Sequence, residues 1–409
     1  MLYYILRPIA TLAYKIFYRK IHLIGVEKLP KNRPLLIACN HPNGFTEPCV
    51  LSCILPISLN FMTRGDLFRN PIMNVFMRST HQIPIFRFRD GFEAMRSNEK
   101  SIEEANRALL ANKAIIMFVE GSTQSTRKLR TFQKGLSRMT KDFELAHPEG
   151  NLGILPVTIN FSEPNRVSSS VTVSIFDVVE PKDYNFSTDT SNKPLIQLTK
   201  DLHATMKEDV FHLDEKTNED IFNKVIAKMP HKLFPNFFPK VVSNPELLNR
   251  GKALANAFNS NADMTDFKVV ADAKAEFLGE VNYSGFDKLL YFLLSPLALI
   301  GYISNLIPLK SAHNFAKAKV KKPIFFTSVL IALCVGAYFL YVISIVIVSL
   351  LFKFPFYYAL LIFAFVSFCY VYFLHLKKKK KASEDYLGMS EELKSSYLNI
   401  EKIMADGNT

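Results

Sequence analysis

His41 and Glu47 are the first residues in this chain whose types and spacing could do chemistry. They stand in the stretch Cys39-Asn40-His41-Pro42-Asn43-Gly44-Phe45-Thr46-Glu47-Pro48. A His on such a loop reaches a substrate hydroxyl and takes its proton, while a carboxylate a few residues on holds the ring's tautomer and stabilises the imidazolium. The bland reading is that a carboxylate in a first helical turn complements the helix dipole. Other polar clusters follow in order. Arg64-Gly65-Asp66 reads equally as a surface ion pair. Ile83-Pro84-Ile85-Phe86-Arg87 ends on a cation that either pairs with Asp90 or meets a phosphate. Phe118-Val119-Glu120-Gly121-Ser122-Thr123, Lys134-Gly135 and Leu155-Pro156-Val157 complete the set. Arg87, Lys134 and the backbone N–H groups after Gly121 could grip a phosphate. Lys134 reads equally as a solvated helix charge.

These clusters need strand ends to hold them. Residues 34–39, 83–86, 114–118, 152–161 and 170–179 read as strands, and 47–55 and 101–111 as helices, with Pro56 just past the first. Strands interleaved with helices predict a layered α/β domain over 23–189. The polar clusters then fall where α/β folds place ligands, at the carboxyl ends of strands. Thr46 is the expected N-cap of the helix that carries Glu47. Residues 190–284 are polar, charged and helical in pattern, with Pro230, Pro235, Pro239 and Pro245 as breaks, and read as a helical insert or linker.

Composition adds a membrane. The 409 residues are 49% hydrophobic and only 21% charged, below the charged share of an ordinary soluble domain. Of the formal net charge of +13, the largest part lies in 285–382, which holds twelve Lys and one Asp, whereas 383–409 is net acidic. Basic residues flanking apolar runs are a topology signal, and they lack the interleaved Arg and aromatics of a nucleic-acid groove. The runs 323–352 and 354–376 carry no charge except His375 and predict a transmembrane hairpin turning at Lys353 and Pro355. Lysines precede and follow the hairpin, which puts both ends in the cytoplasm. If 289–309 also spanned, residues 1–284 would lie outside, so this run is expected to be re-entrant or interfacial. Residues 1–22 mix apolar, aromatic and basic residues without a cleavage site and read as an interfacial helix, with an ordinary docking helix as the other reading. Residues 383–409 form an acidic tail. The five cysteines form no paired motif, which argues against a disulfide framework or a zinc site and for a reducing, cytosol-facing chain.

The ordered blocks over about 20–185 resemble the glycerolipid acyltransferase superfamily, which includes glycerol-3-phosphate and lysophosphatidate acyltransferases. The stretch Asn40-His41 to Glu47-Pro48 is similar to the family's first block, usually His-x4-Asp. Residues 83–87 resemble the second, 118–122 the Phe-Pro-Glu-Gly block, and 155–157 the last. The wording Asn40-His41-Pro42-Asn43 resembles the subgroup with yeast-type glycerol-3-phosphate acyltransferases. Here Glu47 stands for the Asp, with Thr46 at the strict position, and Val119 replaces the usual Pro. The resemblance implies a mixed β-sheet flanked by helices and a fatty acyl transfer from acyl-CoA or acyl-carrier protein to a phosphorylated glycerol. It implies His41 as base, Glu47 as its partner, Asn43, Arg87, Glu120, Gly121, Ser122 and Lys134 as substrate-binding residues, and no metal or cofactor. A catalytically inactive homologue that binds lipid or scaffolds other membrane proteins is the alternative, motivated by Glu47 and Val119.

Overall fold

The computed structural model describes residues 2–18, 20–86, 98–187, 191–215, 218–228, 240–260, 263–276 and 278–406. It divides into two compact units. The first comprises residues 1–164, 168–216 and 241–252, and the second 165–167, 217–240 and 253–409.

The first unit is built on strands β1 (Lys20–Ile24), β2 (Leu35–Cys39), β3 (Leu59–Arg64), β4 (Gln82–Ile85), β5 (Ala114–Phe118), β6 (Gly153–Phe161) and β7 (Ser170–Ile175). With the short β8 (Lys240–Val242) they form one sheet in the order β4-β3-β5-β2-β6-β7-β1-β8. β2 pairs in parallel with both β5 and β6, and β6 pairs antiparallel with β7, so the sheet is mixed. β2, β6 and β7 are buried along their whole length; β2 accordingly reads as an unbroken apolar run, whereas β7 alternates Ser170, Thr172 and Ser174 with apolar residues. Helices α1 (Leu2–Phe17), α2 (Thr46–Ile54), α3 (Pro71–Ser79), α4 (Asn98–Leu110), α5 (Gly135–Ala146) and α6 (Lys193–Lys207) complete the unit. Leu109, Phe143 and Met139 pack with Leu36 and Ile115, while Leu195, Leu198, Leu202 and Met206 pack with Ala38 and Ile154.

Some elements differ from the sequence reading. The interfacial helix expected over 1–22 stops at Phe17, and Lys20–Ile24 is instead β1, paired in parallel with β7. α1 docks through Tyr3, Tyr14 and Phe17. The Arg7 guanidinium donates to the Leu55 carbonyl at 2.6 Å, and the Leu59 N–H donates to the Tyr3 hydroxyl. Its opposite side leaves Ile5, Ile9, Leu12 and Ile16 exposed. The docking reading of this segment therefore holds for its buried side. The strand expected over 170–179 ends at Ile175, and Val179 returns as an isolated bridge to Ile154. β3 and α3 had no clear pattern in the sequence. The N-cap of α2 is Phe45, not Thr46, and no side chain caps it.

Helix α7 (Glu219–Lys228), α9 (Thr265–Asp272) and α13 (Glu391–Asp406) pack together in the second unit, and the division between units falls within α8 (Glu246–Asn259). The acidic tail is thus an ordered helix that buries Ile400 and Met404. The Pro230, Pro235 and Pro239 breaks lie outside the described residues. Among the described residues, three helices are long and apolar enough to cross a membrane: α10 (Gly285–Lys319), α11 (Phe326–Leu351) and α12 (Phe356–Leu387). α10 runs unbroken through Pro296 and Pro308, so the 289–309 run is one continuous helix. Apolar packing between lipid-facing helices has no hydrophobic driving force, so small residues and polar contacts decide it. Gly301 on α10 lies against α12 so closely that a Cβ there would sit 2.1 Å from the Val366 carbonyl oxygen. One turn on, the buried Asn305 amide donates to the Ser367 hydroxyl of α12 at 2.8 Å and accepts from the Tyr338 hydroxyl of α11 at 2.5 Å. This residue ties all three helices together.

Gly301→Leu should destabilise this bundle by about 1–3 kcal/mol through overpacking. Gly336→Leu on α11, where a Cβ meets nothing within 4 Å, should not. Unfolding of full-length protein that keeps Cys369 as its single cysteine, followed by a thiol-reactive dye, checks this as a lower midpoint for the first variant alone.

Candidate active site

The site is built where β2 and β5 end side by side. Cys39 and Phe118 are register partners, and the ladder continues one step beyond as the Val119 N–H donates to the Cys39 carbonyl at 3.0 Å. The chains then diverge, His41 leaving one strand and Glu120 the other. Asn40 fixes the start of the first loop. Its side chain donates to the Ile159 carbonyl at 3.0 Å and accepts from the Ile159 N–H at 2.8 Å, so it is clamped to β6. Gly44 turns the loop with φ 66°, a left-handed conformation that glycine adopts without penalty. The Gly44 N–H is held by the Thr123 hydroxyl at 2.7 Å.

That loop brings His41 and Glu47 together. Glu47 is fully buried in the first turn of α2. Its Oε1 accepts from the Asn43 N–H, and its Oε2 faces His41 Nδ1 at 3.7 Å. Neither Oε2 nor Nδ1 has a hydrogen-bond partner. Buried polar atoms without partners are uncommon and call for an explanation. Here two of them face one another, and closing by several tenths of an ångström would satisfy both. The His41 ring stacks on Phe118 at 4.2 Å between centroids and keeps a 17% exposed side chain. The shielded atom is Nδ1, so the open edge is the other one. The field of Glu47 reaches its neighbours. Burial first, then Glu47 and Glu120, push the Cys39 thiol well above its ordinary range, and burial with Glu47 does the same to the Tyr18 phenol. The half-buried Cys49 thiol, chiefly through desolvation, is pushed up to about 12. Neither cysteine supplies a thiolate nucleophile near neutral pH.

Glu120 holds the loop from the other strand. Its Oε1 accepts from the His41 N–H at 2.8 Å and its Oε2 accepts from Arg130 Nε at 2.5 Å. Arg130 also donates to the Ser122 hydroxyl at 2.8 Å and to the Ser122 carbonyl. Gly121 has φ 72°, and a Cβ there would lie 2.7 Å from Gln133 Cγ, so both backbone and space demand glycine. Arg130 was not foreseen. Its signal was only a basic residue within Arg127-Lys128-Leu129-Arg130, where Arg127 instead caps the Phe161 and Ser162 carbonyls.

Of the residues singled out from sequence, His41, Asn43, Glu47, Glu120, Gly121 and Ser122 gather here. Asn43 is buried, and its side chain donates to the Thr46 hydroxyl at 3.3 Å, so it shapes the loop. Lys134 is exposed as the N-cap residue of α5 and does not line the cavity described next. Arg87 lies outside the described residues. Arg64 and Asp66 pair with each other at 2.5 Å on the surface, which is the bland reading of that motif.

A cavity of about 620 Å³ opens beside this loop, on the side of Glu120, Ser122 and Arg130. Lys128 of the same loop also lines it, and the other wall includes His203, Lys207 and His212. The His212 ring accepts from the Leu129 N–H at 3.0 Å and faces Asp214 at 3.2 Å. Burial, with Lys207 next, holds the His203 pKa below its ordinary value, so that ring is neutral at pH 7.

Comparison with known proteins agrees with this picture. Residues 20–160 match the family model described as Acyltransferase. The 1-acyl-sn-glycerol-3-phosphate acyltransferase of Bacillus subtilis (strain 168) is 29% identical over 79 residues, 19% of this chain and 39% of that protein. The alignment thus spans about two-fifths of the relative's length. The crystal structure of PlsC, the 1-acyl-sn-glycerophosphate acyltransferase of Thermotoga maritima, matches 50% of this chain and 78% of its own at 18% identity and a TM-score of 0.36. With its ordered motifs and its family match, the segment 20–160 is an acyltransferase-family domain.

Proposed function

We propose that this chain is a membrane-bound O-acyltransferase of phospholipid synthesis. It moves a fatty acyl group from a thioester, acyl-CoA or acyl-carrier protein, to a hydroxyl of glycerol-3-phosphate or 1-acyl-glycerol-3-phosphate. The observation that carries this reading is the pair of buried, unpartnered atoms, His41 Nδ1 and Glu47 Oε2, facing each other at 3.7 Å. A carboxylate against Nδ1 selects the tautomer with the proton on that atom, which leaves Nε2 basic on the open edge of the ring.

In the proposed reaction His41 takes the proton of the acceptor hydroxyl as its oxygen attacks the thioester carbonyl carbon. A carbon–oxygen bond forms, the carbon–sulfur bond breaks, and the leaving sulfur takes the proton back from the imidazolium. Glu47 orients the ring and stabilises its positive charge. Glu120 positions His41 through its backbone N–H, and Gly121, Ser122 and Asn43 shape the turns around the acceptor. Arg87 and Lys134 are proposed as further contacts to its phosphate. The longer arm of Glu47 favours one second reading. A 3.7 Å separation is no hydrogen bond, as befits a homologue that binds lipid without turning it over, although such contacts commonly tighten only when substrate binds.

The exposed apolar side of α1 supports contact with the membrane interface. The lysines around α11 and α12 support cytoplasmic ends for that hairpin, and with α10 lying along the interface rather than crossing they place the catalytic unit on the same side.

Full-length protein in lipid nanodiscs, given both radiolabelled acceptors with each donor class, should form product from at least one. His41→Ala should lower that rate by roughly 10²–10⁴-fold. No product from any combination, with lipid binding intact, would favour the inactive reading. A cysteine placed at the exposed Lys182 in a cysteine-free background should resist an impermeant thiol reagent in intact cells; labelling there would reverse the orientation.

A further inference from the structure

The cavity beside Glu120 has walls from two sources. One is the loop after β5, within the acyltransferase domain. The other is the end of α6 and the segment after it, which lie beyond residue 160 and outside the matched domain. The charges of the two walls do not balance. The lining carboxylates already hold partners: Glu120 binds Arg130 and the His41 N–H, and Asp214 faces His212. Lys128 donates to the Asp214 backbone carbonyl at 3.1 Å, and among the described residues no carboxylate forms an ion pair with it. Among the described residues no carboxylate lies within ion-pair distance of the exposed Lys207 ammonium. His203 sits between, with its ring edge-on to Phe132 at 4.9 Å, close enough to Lys207 to feel its charge.

We infer that Lys207, with His203 and Lys128, forms a phosphate-reading wall, and that α6 thereby sets the polar-head specificity of the acceptor. The inference rests on the acyl-transfer reading and adds the residues that select its phosphorylated substrate. An unpaired ammonium and a second lysine amine offer a phosphate monoester both charge and N–H donors, beside a His203 ring whose one N–H is held by the Arg130 backbone. The cavity volume lies within the usual range for a ligand pocket and exceeds what a lone phosphate fills, so the glyceryl part has room beside it. Phosphates occur in both substrates of the proposed reaction when the donor is acyl-CoA. The acceptor is the better match here, because Glu120 is shared between the cavity and the backbone of His41. In a glycerol phosphate the reacting hydroxyl and the phosphate are separated by a few bonds. The phosphates of acyl-CoA stand a whole pantetheine arm away from the thioester.

The test uses full-length wild type, Lys207→Ala and Lys207→Arg in nanodiscs. Lys207 is exposed, so neither change should disturb folding. The KM for the phosphorylated acceptor should rise roughly 10-fold or more in Lys207→Ala. Its kcat and the KM for the acyl donor should stay within about twofold, and Lys207→Arg should recover most of the loss. A rise in the donor KM alone would assign the wall to the donor's phosphates and overturn the inference, as would an unchanged acceptor KM. If wild type transfers no acyl group, the reaction assigned above fails, and calorimetric titration with glycerol-3-phosphate and with inorganic phosphate decides the site separately. Binding by wild type that weakens in Lys207→Ala upholds the phosphate wall. Equal binding by both proteins, or none by wild type, overturns it.

Discussion

The carboxylate of Glu47 has no exposed surface, and that constraint organises the site around it. A buried carboxylate is costly unless its oxygens are satisfied. One oxygen takes the Asn43 N–H, which requires the loop after β2 to double back at Gly44. The other is left facing His41 Nδ1. Holding the ring there falls to the neighbouring strand. Phe118 supplies the stacking surface, Glu120 takes the His41 N–H, and Thr123 bridges the His41 carbonyl and the Gly44 N–H. Arg130 in turn neutralises Glu120. The parallel register of β2 and β5 makes all of this possible, because it ends both strands at the same level.

Much of this is legible in the sequence, and for definite reasons. The buried strands are short apolar runs bounded by turn formers, so β2, β5 and β6 stand out. The polar residues at their ends are the ones that meet. β1 was hidden because Lys20 and His22 look interfacial beside an apolar helix, and its partner β7 is 150 residues away. α3 was hidden because its apolar residues Ile72, Val75 and Phe76 face outward instead of forming a core stripe. Arg130 belongs to the site through a side-chain turn back onto Glu120, a contact that no local spacing announces. The same holds for the N-cap of α2: Thr46 looks right by type, but its hydroxyl accepts from the Asn43 side chain inside the loop.

The second unit follows different physics. Its three long helices are apolar nearly all round, so burial cannot tell one face from another. Gly301 and Asn305 decide the packing instead, one by letting two backbones approach and the other by joining three helices through hydrogen bonds. Fatty substrates and lipid products give a chemical reason for such an anchor on the proposed enzyme.

The central claim is that the charge of Glu47, acting on His41, supports proton transfer. Steady-state acyl transfer by Glu47→Gln tests it most directly. Glutamine keeps the shape and can still accept from the Asn43 N–H, but it loses the negative charge. The account predicts a kcat at least about 100-fold below wild type. The acceptor KM should stay within about twofold of wild type, and the unfolding midpoint should not change. A Glu47→Gln enzyme as fast as wild type would contradict it.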